Sequence, residues 1–151
     1  MKPENSTPVP GASNSRAASA ADKRDMRNGK KLQLTLEAGH YGSAVVLHCQ
    51  GRIIFRSEAR ALSSIVTEVL PSAHRMVVDL AGIESVDSGG LGELVLTHMW
   101  AEAAGYTLKF ASPRKSVRHL FEITNLVSVF DVYGSVPDAM VAMVQEEIRS
   151  A

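Results

Sequence analysis

The sequence predicts an α/β domain in which a mixed sheet of about five strands has about four helices packed against it. Three observations carry this. From Leu32 onward, runs with the period of a strand alternate with runs of helical period. The first two strand-like runs are joined by a connection short enough for an antiparallel pair, whereas later strands are separated by helical segments, the arrangement of right-handed parallel crossovers. Finally, 151 residues that are 45% hydrophobic and contain one cysteine describe a single domain held together by a packed core rather than by disulfides.

Each element follows from local chemistry. Leu32, Leu34 and Leu36 alternate as in a strand with one buried face, and Gly39 to Ser43 offer a turn. Ala44 to Cys49 form a second strand, continuous enough to be central, which Gly51 closes. Ser57 is placed to cap a helix whose stripe is Leu62, Ile65, Val66 and Val69, with Pro71 just past its end. Met76 to Leu80 make a third strand. Asp87 to Gly90 then open a helix carrying Leu91, Leu94, Val95, His98 and Met99 on one stripe, and Gly105 ends it. Leu108 and Phe110 mark a fourth strand, and Ser112-Pro113 read as an N-cap with proline at the first helical position. Val117, Leu120 and Phe121 form the next buried stripe, and Asn125 stops that helix in a left-handed conformation. Val127 to Tyr133 are the last strand, and Ser135 to Asp138 open the terminal helix.

Residues 1–30 stand apart. They contain no Leu, Ile, Phe, Tyr or Trp, and Pro3, Pro8 and Pro10 lie among Ser, Asn and Ala. Such a segment does not bury enough apolar surface to offset the entropy of ordering it. Residues 1–30 therefore read as a disordered leader and 31–151 as the folded domain. Six basic against three acidic side chains make the leader mildly positive, which we take as solvation rather than function.

Composition removes several functional classes. Lys and Arg number 16 against 16 Asp and Glu, so the basic footprint of a nucleic-acid binder is missing. No stretch approaches the roughly 18 apolar residues of a membrane helix, and the N-terminus lacks the apolar core of a secretory signal. A cytoplasmic protein is expected. His40, His48, His74, His98 and His119 are scattered and Cys49 has no CxxC companion, so neither a metal nor another cofactor is expected. Gly90-Leu91-Gly92 lacks the third glycine of a dinucleotide fingerprint, and Asn28 to Lys31 lack the Walker pattern. No GxSxG elbow supports hydrolysis. Asp79 at a strand end resembles a phosphoryl acceptor, but Leu36 to Gly39 offer one carboxylate where a receiver needs an acidic pair. Its simpler role is to accept the amides of the following turn.

The most informative stretch runs from Leu80 to Gly92, where a strand passes through a short loop into a glycine-rich helix start. Small residues there permit close approach of another backbone, and the positive end of the helix dipole favours an anion. Equally, Asp87 or Ser88 is suited simply to cap the helix while the glycines allow tight helix-to-sheet packing.

Three segments, in this order, resemble the STAS domain, the family of anti-sigma factor antagonists: Val45 to Gly51, Val77 to Gly92 with Asp87-Ser88-Gly89-Gly90-Leu91-Gly92 at its centre, and Val117 to Leu126 leading to Phe130-Asp131-Val132-Tyr133. The resemblance covers nearly all of 32–148. It implies a STAS-like mixed sheet and a noncatalytic bacterial switch protein that docks on an anti-sigma factor with serine kinase activity and frees a sigma factor. The docking surface it implies lies around Ser57, Asp87, Ser88, Gly89 and Leu91. Alignment puts the family's phosphorylated hydroxyl at Gly89, with Ser88 one residue earlier, and Ile54 where a polar residue is common. The implied antagonist is thus either permanently competent or modified at Ser88. The alternative is a STAS adaptor subunit of a stressosome-like or lipid-transport complex.

Overall fold

The computed structural model describes Arg24, Asp25 and residues 30–150. Two-residue strands at Arg24–Asp25 and Lys30–Lys31 pair antiparallel outside the main sheet; the rest of the expected leader lies outside the described residues. Strands β1 (Leu34–Tyr41) and β2 (Ala44–Ile53) form an antiparallel hairpin, with pairs running from Leu34 opposite Gly51 to Tyr41 opposite Ala44. Helix α1 (Ser57–Ala73), β3 (Arg75–Val86), α2 (Ser88–Ala104), β4 (Thr107–Ala111), α3 (Lys115–Ile123), β5 (Val132–Tyr133) and α4 (Val136–Ser150) follow. The sheet order is β1-β2-β3-β4-β5, and every pairing after the first is parallel. The mixed α/β sheet with four helices is therefore as the alternation of periods requires.

Alternation along β2 divides the core. Val45, Leu47 and Cys49 face α1, α2 and α3, where they meet Leu62, Ile65, Val66, Leu70, Leu91, Leu94 and Phe121. Ala44 and Val46 face the other way, toward Ala139 and Met143 of α4. Three helices thus cover one face and a single helix part of the other. Complete burial of residues such as Leu47, Leu70 and Leu80 contributes about 1.5–3 kcal/mol each.

Several local expectations are corrected. Ser57 is the first residue of α1 rather than its cap; Arg56 holds the cap position at φ 76° and ψ −96°, without a side-chain hydrogen bond. Pro71 lies inside α1, and the helix closes one turn later with the His74 N–H donating to the Leu70 carbonyl. Proline is tolerated there because only one bond near the helix end is lost. The second strand does not close at Gly51 but runs to Ile53, with register shifts against β3. β3 continues six residues past Leu80, to Val86. Ser112 does not cap α3: its φ is 60°, its N–H donates to the Tyr133 carbonyl at 2.9 Å, and the helix begins at Lys115. Pairing with β5 therefore overrides the local cap signal. Val127 to Tyr133 are mostly not strand. Asn125, left-handed as expected, leads into a short 3-10 turn at Leu126–Ser128, and only Val132 and Tyr133 pair with β4. Between them Phe130 plugs the core, 4.8 Å from the Phe110 ring and 5.4 Å from the Phe121 ring. On α2, Met99 leaves the expected stripe for solvent while Thr97 and His98 are buried.

Candidate functional site at the start of α2

The site begins where β3 runs out. Asp87, extended at φ −88° and ψ 176°, caps α2 by accepting the Gly90 N–H on Oδ1 at 2.7 Å. The same carboxylate reaches sideways and accepts the Phe55 N–H on both oxygens, at 3.0 and 3.1 Å. One side chain thereby fixes the helix start and the β2–α1 junction against each other. Charge-assisted bonds of this kind are the stronger ones. The Asp87 N–H donates in turn to the Ile53 carbonyl.

The glycines account for how closely these elements meet. A Cβ at position 90 would run into the Ile53 carbonyl oxygen, and one at position 89 would lie 2.5 Å from Cβ, Cγ and Cδ1 of Phe55. The aromatic side chain therefore rests on Gly89 while remaining 54% exposed. The Arg56 guanidinium lies 5.3 Å from the centre of the Phe55 ring. Non-glycine residues are rarely found at positive φ, so Arg56 carries local backbone strain at this surface.

Of the residues expected here, Asp87, Ser88 and Gly89 come together at the helix start, and Ser57 lies two residues beyond Phe55 in the first turn of α1. Ser88 is exposed, and its hydroxyl makes no hydrogen bond among the described residues. Leu91 is corrected: at 8% exposure it belongs to the core beneath the helix, so it supports the surface from below instead of forming it. Phe55 was missed. The available signal was an aromatic residue in a polar strand-to-helix junction, and only the fold brings it to Gly89.

Other candidates separate from this surface. Asp79 accepts the Ala81 N–H at 3.0 Å, as a turn-binding aspartate should, and also holds Nδ1 of His48 at 2.7 Å. Burial, with the Asp79 charge second, pushes the Cys49 thiol well up, which leaves it inert as a nucleophile. An apolar groove of about 300 Å³ runs beside the end of β3, between Val86 and the Leu120 and Ile123 side chains of α3. Among the described residues no helix is long and apolar enough to cross a membrane.

The STAS domain family model matches residues 35–139. Among solved structures, the chain is similar to an anti-sigma factor antagonist from Mycobacterium paratuberculosis at 23% identity, with a TM-score of 0.64 over 72% of this chain and 92% of that one. A candidate anti-sigma factor antagonist from Thermotoga maritima is 22% identical, with a TM-score of 0.62 over 76% of this chain and 94% of that one. The Bacillus cell fate determinant SpoIIAA, in its phosphorylated form, gives 12% identity and a TM-score of 0.56 over 72% and 99%. At these identities the structural likeness speaks for the fold.

Proposed function

The chain belongs to the STAS domain family, and on that premise we propose that it is an anti-sigma factor antagonist, which binds an anti-sigma factor with serine kinase activity and thereby releases a sigma factor. The observation that carries this reading is the double use of Asp87. By holding both Gly90 and Phe55, it makes one preorganised surface from two elements distant in sequence, without assembling groups suited to catalysis. Preorganisation lowers the ordering cost of docking on a protein partner. The similarity to antagonists over nine-tenths of their length supports the same role.

In this reading the partner contacts Ser57, Ser88 and the Phe55-covered Gly89, with Asp87 as the positioning residue. Gly89 offers no hydroxyl, so the antagonist is either permanently competent or switched at Ser88. A phosphate there would add roughly −1.5 to −2 charge in the first turn of α2, where the helix dipole stabilises it. It would also change what the partner meets.

The test begins with a pull-down from the native host and identification of the bound chain, followed by calorimetric titration of that chain. Ser88→Asp adds charge at the helix start without touching Phe55. Gly89→Asp adds charge and displaces the ring. Both are expected to weaken binding by about tenfold or more, with circular dichroism confirming the fold. Incubation with the partner and ATP then reports on the switch, since stoichiometric phosphate on Ser88 identifies a modified antagonist. Affinities equal to wild type for both variants would take the α2 start out of the interface and leave the adaptor reading ahead.

A further inference from the structure

Helix α4 is apolar on two opposite faces, and the fold covers one of them. Ala139 and Met143 are buried against the sheet, and Glu146 on the same side bonds Lys109. Pointing away from the domain, Val141, Val144 and Ile148 are 55%, 52% and 69% exposed. With exposed Pro137 they recur at i, i+4, i+7 and i+11, the spacing by which one helix packs along another. Apolar side chains in such a row are a contact surface rather than scattered exposure.

The charges beside the row indicate its occupant. Asp138 and Arg149 each follow a residue of the row by one position, so they lie on the same flank, about three turns apart. Both are exposed, and neither makes an ion pair among the described residues. A second α4 laid antiparallel with Val144 at the centre brings Val141 near Ile148 of the partner copy and Asp138 near Arg149 of the partner copy. The two-fold axis repeats both contacts. In a parallel alignment the two charges stay at opposite ends of the row and do not meet.

We propose that the outward face of α4 is a self-association surface, on which a second copy of the chain packs antiparallel about a two-fold axis through Val144. A row of three turns is small for a stable interface, so the dimer is weak and forms reversibly as concentration rises.

Cysteine scanning tests the geometry directly, because Cys49 is buried and does not compete. Under mild oxidation at a few hundred micromolar, Val144→Cys is expected to give a disulfide-linked dimer. Val141→Cys and Ile148→Cys are expected to cross-link when mixed but not singly. In sedimentation equilibrium the wild type should self-associate and Val144→Glu, at an exposed position, should remain a folded monomer by circular dichroism. Asp138→Arg should weaken the dimer several-fold, and adding Arg149→Asp should restore it. The proposal is overturned by a wild type that stays monomeric throughout, by a dimer indifferent to Val144→Glu, or by equal self-cross-linking of all three single cysteines, which would mean a parallel pair.

Discussion

A methyl group at position 89 would stand 2.5 Å from three carbons of Phe55, so Gly89→Ala has to push the ring off the helix. Against that, alanine favours a helix over glycine by up to about 1 kcal/mol. Steric displacement is the larger effect while Phe55 is present, and it vanishes without the ring. Gly89→Ala is therefore expected to destabilise the wild type by about 1 kcal/mol and to be neutral or stabilising in a Phe55→Ala background. Urea unfolding of the four proteins gives the coupling, expected at about 1–2 kcal/mol; additive effects would contradict the packing of Phe55 on Gly89. His98 offers a second test at this scale. Its Nδ1 is buried without a hydrogen-bond partner, and its ring meets Phe130 edge-on at 5.4 Å. Replacing a buried, unbonded polar atom by carbon costs little. His98→Leu should melt within a few degrees of wild type or higher, and a fall of more than about 8 °C would mean that Nδ1 has a partner.

At the scale of elements, the approach of α2 to the end of β2 is set by Gly90, because any Cβ there would meet the Ile53 carbonyl. Backbone gives way less readily than a side chain. Gly90→Ala should thus cost more than Gly89→Ala, about 2–4 kcal/mol by urea unfolding, as overpacking does. Equal costs would show that α2 slides freely on the sheet. The strand-to-helix passage at Asp87 was legible in the sequence because an aspartate followed by small residues satisfies helix-start amides locally. Ser57 and Ser112 carried the same kind of local signal, and tertiary demands prevailed at both: the strained turn at Arg56 precedes α1, and the Tyr133 carbonyl claims the Ser112 N–H. Asp87's second role was not legible, since its bond to Phe55 spans 32 residues. For the same reason position 89 read as a gap left for a partner, whereas the chain fills it with its own ring.

Across the whole molecule, α4 stands alone on its face of the sheet, over a small cluster made largely of alanine and valine with Met143. So little apolar contact calls for a second hold, and Lys109 supplies it. Leu108-Lys109-Phe110 reads as a strand with its lysine in water, yet Lys109 is fully buried and bonds Glu146 at 2.8 Å, Asp131 at 3.2 Å and the Tyr133 hydroxyl at 3.3 Å. Nothing in the sequence indicates that a helix 27 residues later closes over it. Desolvation works against the charge on Lys109, but Glu146, Tyr133 and Asp131 together outweigh it and raise its pKa above 10.5. A raised lysine pKa means that folding favours the protonated form, so this contribution is complete below the unfolded value of 10.5 and is lost as pH rises through the folded value. The carboxylates are 52% and 43% exposed, so solvent screening keeps the contribution to about 1 kcal/mol. Lys109→Met fills the same space without the charge, leaves both acids access to water, and is expected to change neutral-pH stability by no more than about 1 kcal/mol. Its alkaline behaviour should differ in sign from any general effect. The stability of wild type relative to Lys109→Met, measured by urea unfolding from about pH 9 to pH 12, should stay level up to about pH 10.5 and fall above it. A difference that stays level throughout, or that grows with pH, would mean that the charge on Lys109 does not hold α4 to the sheet.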